Sequence, residues 1–257
     1  MITRNVAEGI HLISHAHVNC YVVEDSDGLT LVDAGLPSMW PMLQELLSAC
    51  GRRAADIRAV VLTHGHFDHV GFALRAHHEW NVPVLVHPGD TRLAAHPYRY
   101  KPQRNRFLYP LAHPRSVPLL ARMATAGALK VKGVGDTRPL DTGVRLQVPG
   151  RPVAIHTPGH TDGHCILHFP ERNAVLAGDA VVTLDPYTGR SGPQIVASAA
   201  TKDTGQALAS LDLIAATGAA TVLTGHGSPW TRARKPRRST RSRWAPTKPN
   251  PAGLEIC

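Results

Sequence analysis

The sequence of 257 residues predicts a single mixed α/β domain in which short strands outnumber helices. Apolar, β-branched runs of strand length recur in two blocks, and a few longer segments have the periodicity of amphipathic helices. Hydrophobic residues make up 43% of the chain, which is long enough for one sizeable core and short for two full domains.

The first β-rich block begins as a meander, because its apolar runs are separated by Asp-Gly or Gly turns. Strands are predicted at 9–14, 19–24 and 28–33. A helix at 38–49 is closed by Gly51, and a buried strand at 57–63 follows. A helix at 70–80 and a strand at 82–87 complete the block.

The second block carries strands predicted at 144–148, 153–157, 164–169, 174–177 and 221–224, and an amphipathic helix at 202–217. Between the blocks, residues 88–136 are rich in Pro, Arg and aromatic residues and offer at most short helices. We therefore divide the chain into a catalytic domain at 1–230 with an insert at about 91–138, and a Pro- and Arg-rich tail at 231–257.

The net charge of +9 is concentrated in the insert and the tail. Residues 91–138 carry ten Lys or Arg against one Asp, and residues 231–257 carry eight against one Glu, whereas the two β-rich blocks are acidic. A basic, aromatic insert indicates a lid over the site and an anionic small-molecule substrate, and a solvated surface loop is the alternative. For the tail we favour a solvated segment over a nucleic-acid or membrane-surface arm.

No apolar run approaches the length of a membrane span, and the first residues contain no apolar signal-peptide core, so we expect a cytoplasmic protein. The four cysteines, Cys20, Cys50, Cys165 and Cys257, are widely scattered. Their spacing fits neither a thiolate zinc site nor a disulfide framework, and reduced thiols are expected.

The chemistry centres on the run His64-Gly65-His66-Phe67-Asp68-His69, which directly follows a predicted buried strand. Three imidazoles and a carboxylate at a strand end need partners, and a cation supplies them. In an extended loop, His64 and His66 point the same way and can bind one ion, while Asp68 and His69 can face a second. Imidazole and carboxylate ligands suit zinc, with iron or manganese as alternatives. The alternative is that the run forms a His-rich surface turn that has no function.

One loop cannot complete two coordination shells, so more distant donors are required. Three potential donors follow predicted strands and are flanked by glycine: His160, Asp179 and His226. Glycine lets the backbone approach closely or adopt a positive φ in a crowded site.

With these residues the sequence resembles the metallo-β-lactamase fold superfamily over residues 1 to about 230. The matching motifs, in order, are Asp33 in Leu31-Val32-Asp33-Ala34-Gly35, the H-x-H-x-D-H run, His160, Asp179 and His226. The resemblance implies an αββα four-layer sandwich with two metal ions. It implies that the first ion is bound by His64, His66 and His160, the second by Asp68, His69 and His226, and both by Asp179, with Asp33 orienting ligands from outside.

The resemblance further implies a binuclear hydrolase with two Zn²⁺ ions, in which a metal-bridging hydroxide attacks a small ester, thioester or lactone and Asp68 relays the proton. Several departures from known subfamilies bear on the substrate. β-Lactamases characteristically have cysteine or serine where this chain has Asp179, so antibiotic hydrolysis is disfavoured. Glyoxalase II-like thioesterases usually add a C-terminal helical region.

Lactonases of the superfamily place a tyrosine a few residues after the bridging aspartate, and the nearest tyrosine here is Tyr187, a weak candidate for substrate binding. Two alternatives stay open. One is a phosphodiesterase or nuclease-type protein that processes nucleic acid, and the other is an enzyme like the mononuclear iron persulfide dioxygenases.

Overall fold

The structure is a computed structural model that describes residues 1–231. The predicted basic tail lies outside the described residues, apart from Thr231. Among residues 1–231, no helix is both long and apolar enough to span a membrane.

The larger sheet has seven strands whose spatial order follows the chain: β1 (Ile2–Ala7), β2 (Ile10–His15), β3 (Val18–Asp25), β4 (Gly28–Val32), β5 (Ile57–Val61), β6 (Val84–Val86) and β7 (Arg138–Pro139). The first four strands are antiparallel, and the pairs from β4 to β7 are parallel. Helix α1 (Trp40–Ala49) connects β4 to β5, and helices α2 (Phe67–Val70) and α3 (Ala73–Trp80) connect β5 to β6.

The smaller sheet has five strands in the order β14-β13-β10-β9-β8. These strands are β8 (Val153–His156), β9 (Cys165–Phe169), β10 (Ala174–Gly178), β13 (Thr221–Thr224) and β14 (Trp230–Thr231). Strands β11 (Val182–Leu184) and β12 (Ser191–Gln194) form a separate pair, and helix α7 (Thr204–Ala216) precedes β13. Of the described strands in the smaller sheet, only β10 and β13 are parallel neighbours, so their carboxyl ends meet at one edge.

The insert between the two blocks is helical rather than a simple loop. It contains α4 (Thr91–Ala95), α5 (Tyr109–Ala112) and α6 (Ser116–Met123), and α6 continues into a π-helical turn at Ala124–Ala128.

The buried side chains confirm the predicted αββα order of four layers. In β3, alternate residues face opposite sides: Tyr21 and Val23 belong to the cluster between the two sheets, whereas Cys20 and Val22 pack against the helices. Helix α1 buries the stripe Trp40, Leu43, Leu46 and Leu47 against the outer face of the larger sheet. Helix α7 covers the outer face of the smaller sheet, where its Ile214 joins the third cluster.

Two predicted elements differ from the structure. The predicted strand at 144–148 is wrong: only an isolated bridge joins Arg145 to Val153, although Leu146 and Val148 are buried between the sheets. The apolar alternation there reflects burial without strand pairing. The predicted helix at 70–80 is broken at Gly71, whose backbone angles (φ 22°, ψ −97°) are not helical. Only glycine fits there, because a Cβ would collide with the Gly35 carbonyl.

Candidate metal centre

The loop after β5 carries four of the predicted donors. Strand β5 ends at Val61, and His64 and His66 follow in the extended segment before α2. Asp68 and His69 lie in the single turn of α2. All four side chains are buried, which is costly for polar groups unless they find partners.

The other three donors come from the smaller sheet and reach the same point. His160 follows β8, Asp179 follows β10, and His226 follows β13. Because β10 and β13 are parallel neighbours, Asp179 and His226 emerge side by side, with Oδ2 of Asp179 3.3 Å from Nε2 of His226. Gly225 permits this approach, since a Cβ there would collide with Oδ1 of Asp179.

Six of the seven side chains form two donor groups that lie next to each other. One consists of His64, His66 and His160 and the other of Asp68, His69 and His226, and within each group the donor atoms lie within 4.8 Å of one another. The carboxylate of Asp179 lies between the groups: its oxygens are 3.4 Å from Nε2 of His160, 3.4 Å from Nε2 of His69 and 3.3 Å from Nε2 of His226. The structure therefore brings together all the residues that the sequence predicts as ligands.

Several atoms of this cluster have no hydrogen-bond partner among the described residues. They are Nε2 of His64, His66 and His69 and Oδ1 of Asp179, all of them buried. Nε2 of His69 and Oδ1 of Asp179 lie 3.4 Å apart, but without hydrogen-bonding geometry. A divalent cation accepts lone pairs from imidazole and carboxylate groups, so the residues present fit a metal ion.

Four of the histidines are oriented by a hydrogen bond at the other ring nitrogen. Nδ1 of His64 lies 3.1 Å from Thr63 Oγ1, and Nδ1 of His69 lies 2.8 Å from Asp33 Oδ2. Nδ1 of His160 lies 3.2 Å from Thr201 Oγ1, and Nδ1 of His226 lies 2.7 Å from the His17 carbonyl oxygen. The hydroxyls of Thr63 and Thr201 donate to other acceptors, so each can accept from its histidine. With Nδ1 engaged, Nε2 of each ring is directed into the cluster.

Asp33 contacts the His69 ring directly and the His64 ring through the Thr63 hydroxyl. Its Oδ1 accepts a hydrogen bond from the Thr63 backbone N–H at 2.7 Å, and its Oδ2 accepts from the ring of His69 and from the Thr63 hydroxyl. The backbone of Asp33 has a positive φ of 58°, uncommon for a residue with a side chain. The structure thus places Asp33 against His69 and Thr63, and its orienting role stays a prediction.

The first donor group is uncharged before any ion binds. Burial, reinforced by neighbouring imidazoles, lowers the pKa of His64 well below its usual value and the pKa of His66 and His160 to about 3. A neutral imidazole is the form that binds a metal.

In the second group, nearby carboxylates set the pKa of both imidazoles. Burial alone would lower the pKa of both imidazoles. For His69 the carboxylates of Asp179 and Asp33 outweigh burial and hold the pKa well above its usual value. For His226 the carboxylates of Asp179 and Asp68 raise the pKa to about 10. Burial would raise the pKa of Asp179, yet the two imidazoles hold it well below its usual range. The buried carboxylate is thus ionised and paired with positive charge, which a cation can also provide.

Asp90 is a structural residue of the site that sequence reasoning missed. Its buried carboxylate accepts hydrogen bonds from Gly65 N–H at 2.9 Å, Thr161 Oγ1 at 2.6 Å and Gly163 N–H at 2.7 Å. It thereby ties the loop of His64 and His66 to the loop of His160. Its only sequence signal is a strand followed by Pro-Gly-Asp, which is typical of an ordinary turn.

His164 was also missed. It is fully buried, its Nδ1 lies 2.9 Å from Thr157 Oγ1, and its Nε2 accepts the Asp179 N–H at 3.1 Å. Burial lowers the pKa of His164 well below its usual value, which keeps Nε2 available as an acceptor. His164 therefore holds the backbone of Asp179 in place.

Tyr187, the predicted weak substrate contact, reaches the cluster through a second tyrosine. Its hydroxyl lies 3.3 Å from that of Tyr100, whose ring centroid is 4.1 Å from that of His66. The Arg106 guanidinium lies 4.6 Å from the Tyr100 ring centroid. Tyr100 and Arg106 belong to the basic insert, so part of the insert covers a predicted metal ligand. No periodicity in the insert indicates that either residue would lie there.

A family model and several known proteins are similar to this chain. The family model described as the metallo-beta-lactamase superfamily matches residues 15–226. The probable metallo-hydrolase YflN of Bacillus subtilis (strain 168) is 28% identical over 238 residues, which cover 88% of this chain and 86% of that protein.

Two solved structures are also similar. The metallo-beta-lactamase family protein TTHA1429 from Thermus thermophilus has a TM-score of 0.64 and 25% identity, covering 89% of this chain and 76% of that one. TTHA1623 in a di-iron-bound form has a TM-score of 0.58 and 27% identity, covering 86% and 93% of the two chains.

Proposed function

The chain belongs to the metallo-beta-lactamase superfamily, and from this membership we propose that it is a binuclear metal-dependent hydrolase of a small ester, thioester or lactone. The observation that carries the proposal is the pair of donor groups with the Asp179 carboxylate between them. We assign the catalytic domain to residues 1–230, with the insert at 91–138 as its lid.

His64, His66 and His160 would hold one ion, Asp68, His69 and His226 the other, and Asp179 would contact both. The seven donors are imidazoles and carboxylates without a thiolate, a set that suits Zn²⁺ and also admits iron or manganese. TTHA1623, a structural neighbour, is described in a di-iron-bound form, which supports keeping iron as an alternative.

Two divalent ions held by these residues would supply Lewis acidity, which lowers the pKa of a water toward about 7 and polarises a substrate carbonyl. The chain itself supplies a proton acceptor in Asp68, whose Oδ2 lies 3.3 Å from Nε2 of His226. We propose that this carboxylate takes a proton from the attacking water and delivers it to the leaving group. No serine or cysteine nucleophile is then required.

The insert contributes to substrate binding in this proposal. The Tyr100 ring packs against His66, and the hydroxyls of Tyr100 and Tyr187 are hydrogen-bonded to each other. One hydroxyl donates to the other, and the second proton can be donated to a substrate oxygen. Burial raises the pKa of Tyr100, and burial together with Tyr100 raises that of Tyr187 well above its usual value, so both hydroxyls keep their protons at neutral pH.

The test is a hydrolysis screen over lactones, thioesters, phosphodiesters and the β-lactam nitrocefin, with Asp68→Ala as the inactive variant and Asp141→Ala as the control. Asp141 is exposed and distant in sequence from every donor. Loss of Asp68 is expected to lower kcat by about 100-fold or more, the usual contribution of a positioned acid-base group. Full activity in Asp68→Ala would refute the assignment of this residue.

Elemental analysis tests the binuclear centre separately. Two zinc ions per chain support the proposal, and a single iron without a second ion would favour the dioxygenase-like alternative instead. Activity on phosphodiesters with none on esters, thioesters or lactones would move the protein to the nucleic-acid-processing alternative.

A further inference from the structure

The insert exposes a group of large apolar side chains around the start of α5. Five of the nine large hydrophobic side chains that are exposed within residues 1–231 belong to the insert. Three of them are close in sequence: Phe107, Leu108 and Leu111 are 78%, 60% and 81% exposed. Single apolar side chains on a surface are normal, whereas a contiguous group indicates a contact surface. We call these three residues the apolar patch.

The apolar patch lies on a formed turn of the chain. The Leu108 N–H donates to the Asn105 carbonyl and the Leu111 N–H to the Leu108 carbonyl, both at 3.3 Å. The Asn105 side chain also accepts the Phe107 N–H at 2.9 Å. Residues three apart in a helical turn are neighbours on its surface, so Leu108 and Leu111 present one apolar surface.

Polar contacts anchor this segment to the rest of the protein. The Gln103 N–H donates to the Thr201 carbonyl and the Arg104 N–H to the Ser198 carbonyl, both at 2.9 Å. The Tyr109 hydroxyl lies 3.3 Å from Oγ of Ser198. The segment therefore uses polar groups for its contacts with the protein and leaves its apolar groups in solvent, which is the reverse of the usual arrangement.

Positive charge accompanies the apolar patch. Residues 91–135 contain no Asp or Glu. The Arg106 guanidinium lies 5.3 Å from the Phe107 ring centroid, so positive charge reaches the patch itself. Four more basic side chains within eight residues of the patch are exposed and form no ion pair in the part of the chain that the structure describes: Arg99, Lys101, Arg104 and Arg115.

Apolar side chains among unpaired cations match the surface of an anionic membrane, whose headgroups are negative and whose acyl chains are apolar. Nucleic acid would pair with the cations but leave the apolar side chains exposed. A symmetric pair of copies would cover the apolar side chains but bring two basic inserts against each other. Because the two β-rich blocks are acidic, an anionic surface attracts the insert and repels the rest of the domain, which favours one orientation.

We infer that the apolar patch and the basic side chains around it dock the protein on an anionic lipid surface. The apolar side chains enter the headgroup region, and the basic side chains contact the headgroups. The same segment leads back to Tyr100, whose ring packs against His66, so docking brings the candidate metal centre to the lipid surface. This binding surface does not depend on the proposed hydrolase function.

Co-sedimentation of the full chain with lipid vesicles tests the docking. Vesicles of phosphatidylcholine alone are compared with vesicles that contain phosphatidylcholine and phosphatidylglycerol in equal amounts. The protein is expected to bind only the anionic vesicles, and high salt should weaken this binding because exposed charges are screened. Equal binding to both kinds of vesicle, or to neither, would overturn the inference.

Matched variants locate the contact. Leu111→Ser is expected to lower the partition coefficient about 10-fold, because burial of a leucine side chain is lost. Its control is Leu208→Ser, since Leu208 is 52% exposed on α7, outside the insert. Arg104→Gln is expected to lower the coefficient about 5-fold, the usual contribution of one basic residue near an anionic membrane. Its control is Arg58→Gln, at the start of β5. All four residues are exposed, so each variant is expected to fold.

Phe107→Trp reports directly on entry into the lipid. The fluorescence that this residue adds is expected to shift to the blue on anionic vesicles and to be quenched by brominated lipid. Fluorescence that stays unchanged on vesicles that bind the protein would contradict insertion of the apolar patch.

The remaining outcomes identify other partners. Weaker binding in Leu111→Ser and Arg104→Gln, with both controls unchanged, supports the inference. Binding that neither substitution weakens would place the contact elsewhere, the basic tail included, and overturn it. A concentration-dependent dimer that Leu111→Ser dissociates, without vesicle binding, would assign the apolar patch to a second copy of the chain instead.

Discussion

Replacing Asp90 is expected to weaken metal binding without removing any metal ligand. The Asp90 carboxylate is the acceptor for the backbone N–H of Gly65 and Gly163 and for the hydroxyl of Thr161. Gly65 lies between His64 and His66, and Thr161 follows His160. The residue therefore fixes the three members of the first donor group relative to one another.

The magnitude follows from the bonds lost in Asp90→Asn. An amide has one oxygen, so its NH₂ group must face either the Gly65 N–H or the Gly163 N–H, and one buried donor is left unpaired. An unpaired buried donor costs about 1–3 kcal/mol. Burial raises the pKa of Asp90, and the hydrogen bonds offset this only partly, so removal of the charge returns some of the loss.

We therefore expect Asp90→Asn to lower the free energy of unfolding by about 1–2 kcal/mol, which corresponds to a Tm lower by roughly 2–8 °C for a domain of this size. Zinc affinity at the first donor group should fall by about 10- to 100-fold, the usual effect of losing a residue that supports metal ligands. The second group is not held by Asp90 and should keep its affinity.

The assay is competition for zinc against a chromophoric chelator, together with thermal unfolding of the metal-free and loaded protein. Asp162→Asn is the matched control, because Asp162 lies in the same loop but is exposed and pairs with Lys202. An exposed ion pair contributes about 1 kcal/mol or less. Native zinc affinity at both groups in Asp90→Asn would refute the proposed role of this carboxylate.

Three further predictions concern metal, packing and pH. Chelation of the metal ions should lower Tm and added zinc should restore it, because the buried donor atoms otherwise lack partners; a Tm unaffected by chelator would contradict this. Gly225→Ala should lower metal content while the circular dichroism spectrum stays native, because the methyl group displaces Asp179; retention of two ions would be the opposing result. Partial burial would raise the pKa of Glu24, but the hydrogen bond and charge of Arg52 lower it by more. The ion pair therefore stabilises the fold fully above the usual pKa of about 4.3, and this stabilisation is lost as the pH falls through the lowered pKa. Urea unfolding should therefore show Glu24→Gln less stable than wild type at neutral pH and equal to it in strong acid, and an equal difference at both pH values would exclude the ion pair as the cause.

The proposed metal ligands could be predicted from the sequence, because clustered imidazole and carboxylate side chains are a distinctive pattern. Three imidazoles and a carboxylate within six residues have few uses other than metal binding, and His160, Asp179 and His226 each follow an apolar strand. The αββα order was predicted from the resemblance that these residues carry, and the structure confirms it.

The supporting residues could not be predicted in the same way. Asp90 looks like a turn residue, and its three partners come from segments far apart in sequence. Tyr100 lies in an insert without periodicity, so nothing local indicates that its ring meets His66. The strand predicted at 144–148 failed for a related reason, since burial of Leu146 and Val148 does not require pairing with a neighbouring strand.

The distribution of the donors over two sheets has a consequence for how the protein is made. His64, His66, Asp68 and His69 are synthesised early, whereas His226 follows β13, near the end of the described chain. A growing chain can offer part of a coordination shell long before the smaller sheet exists. In the proposed centre the full set of donors exists only after both sheets have docked, so tight metal binding would be a property of the completely folded molecule.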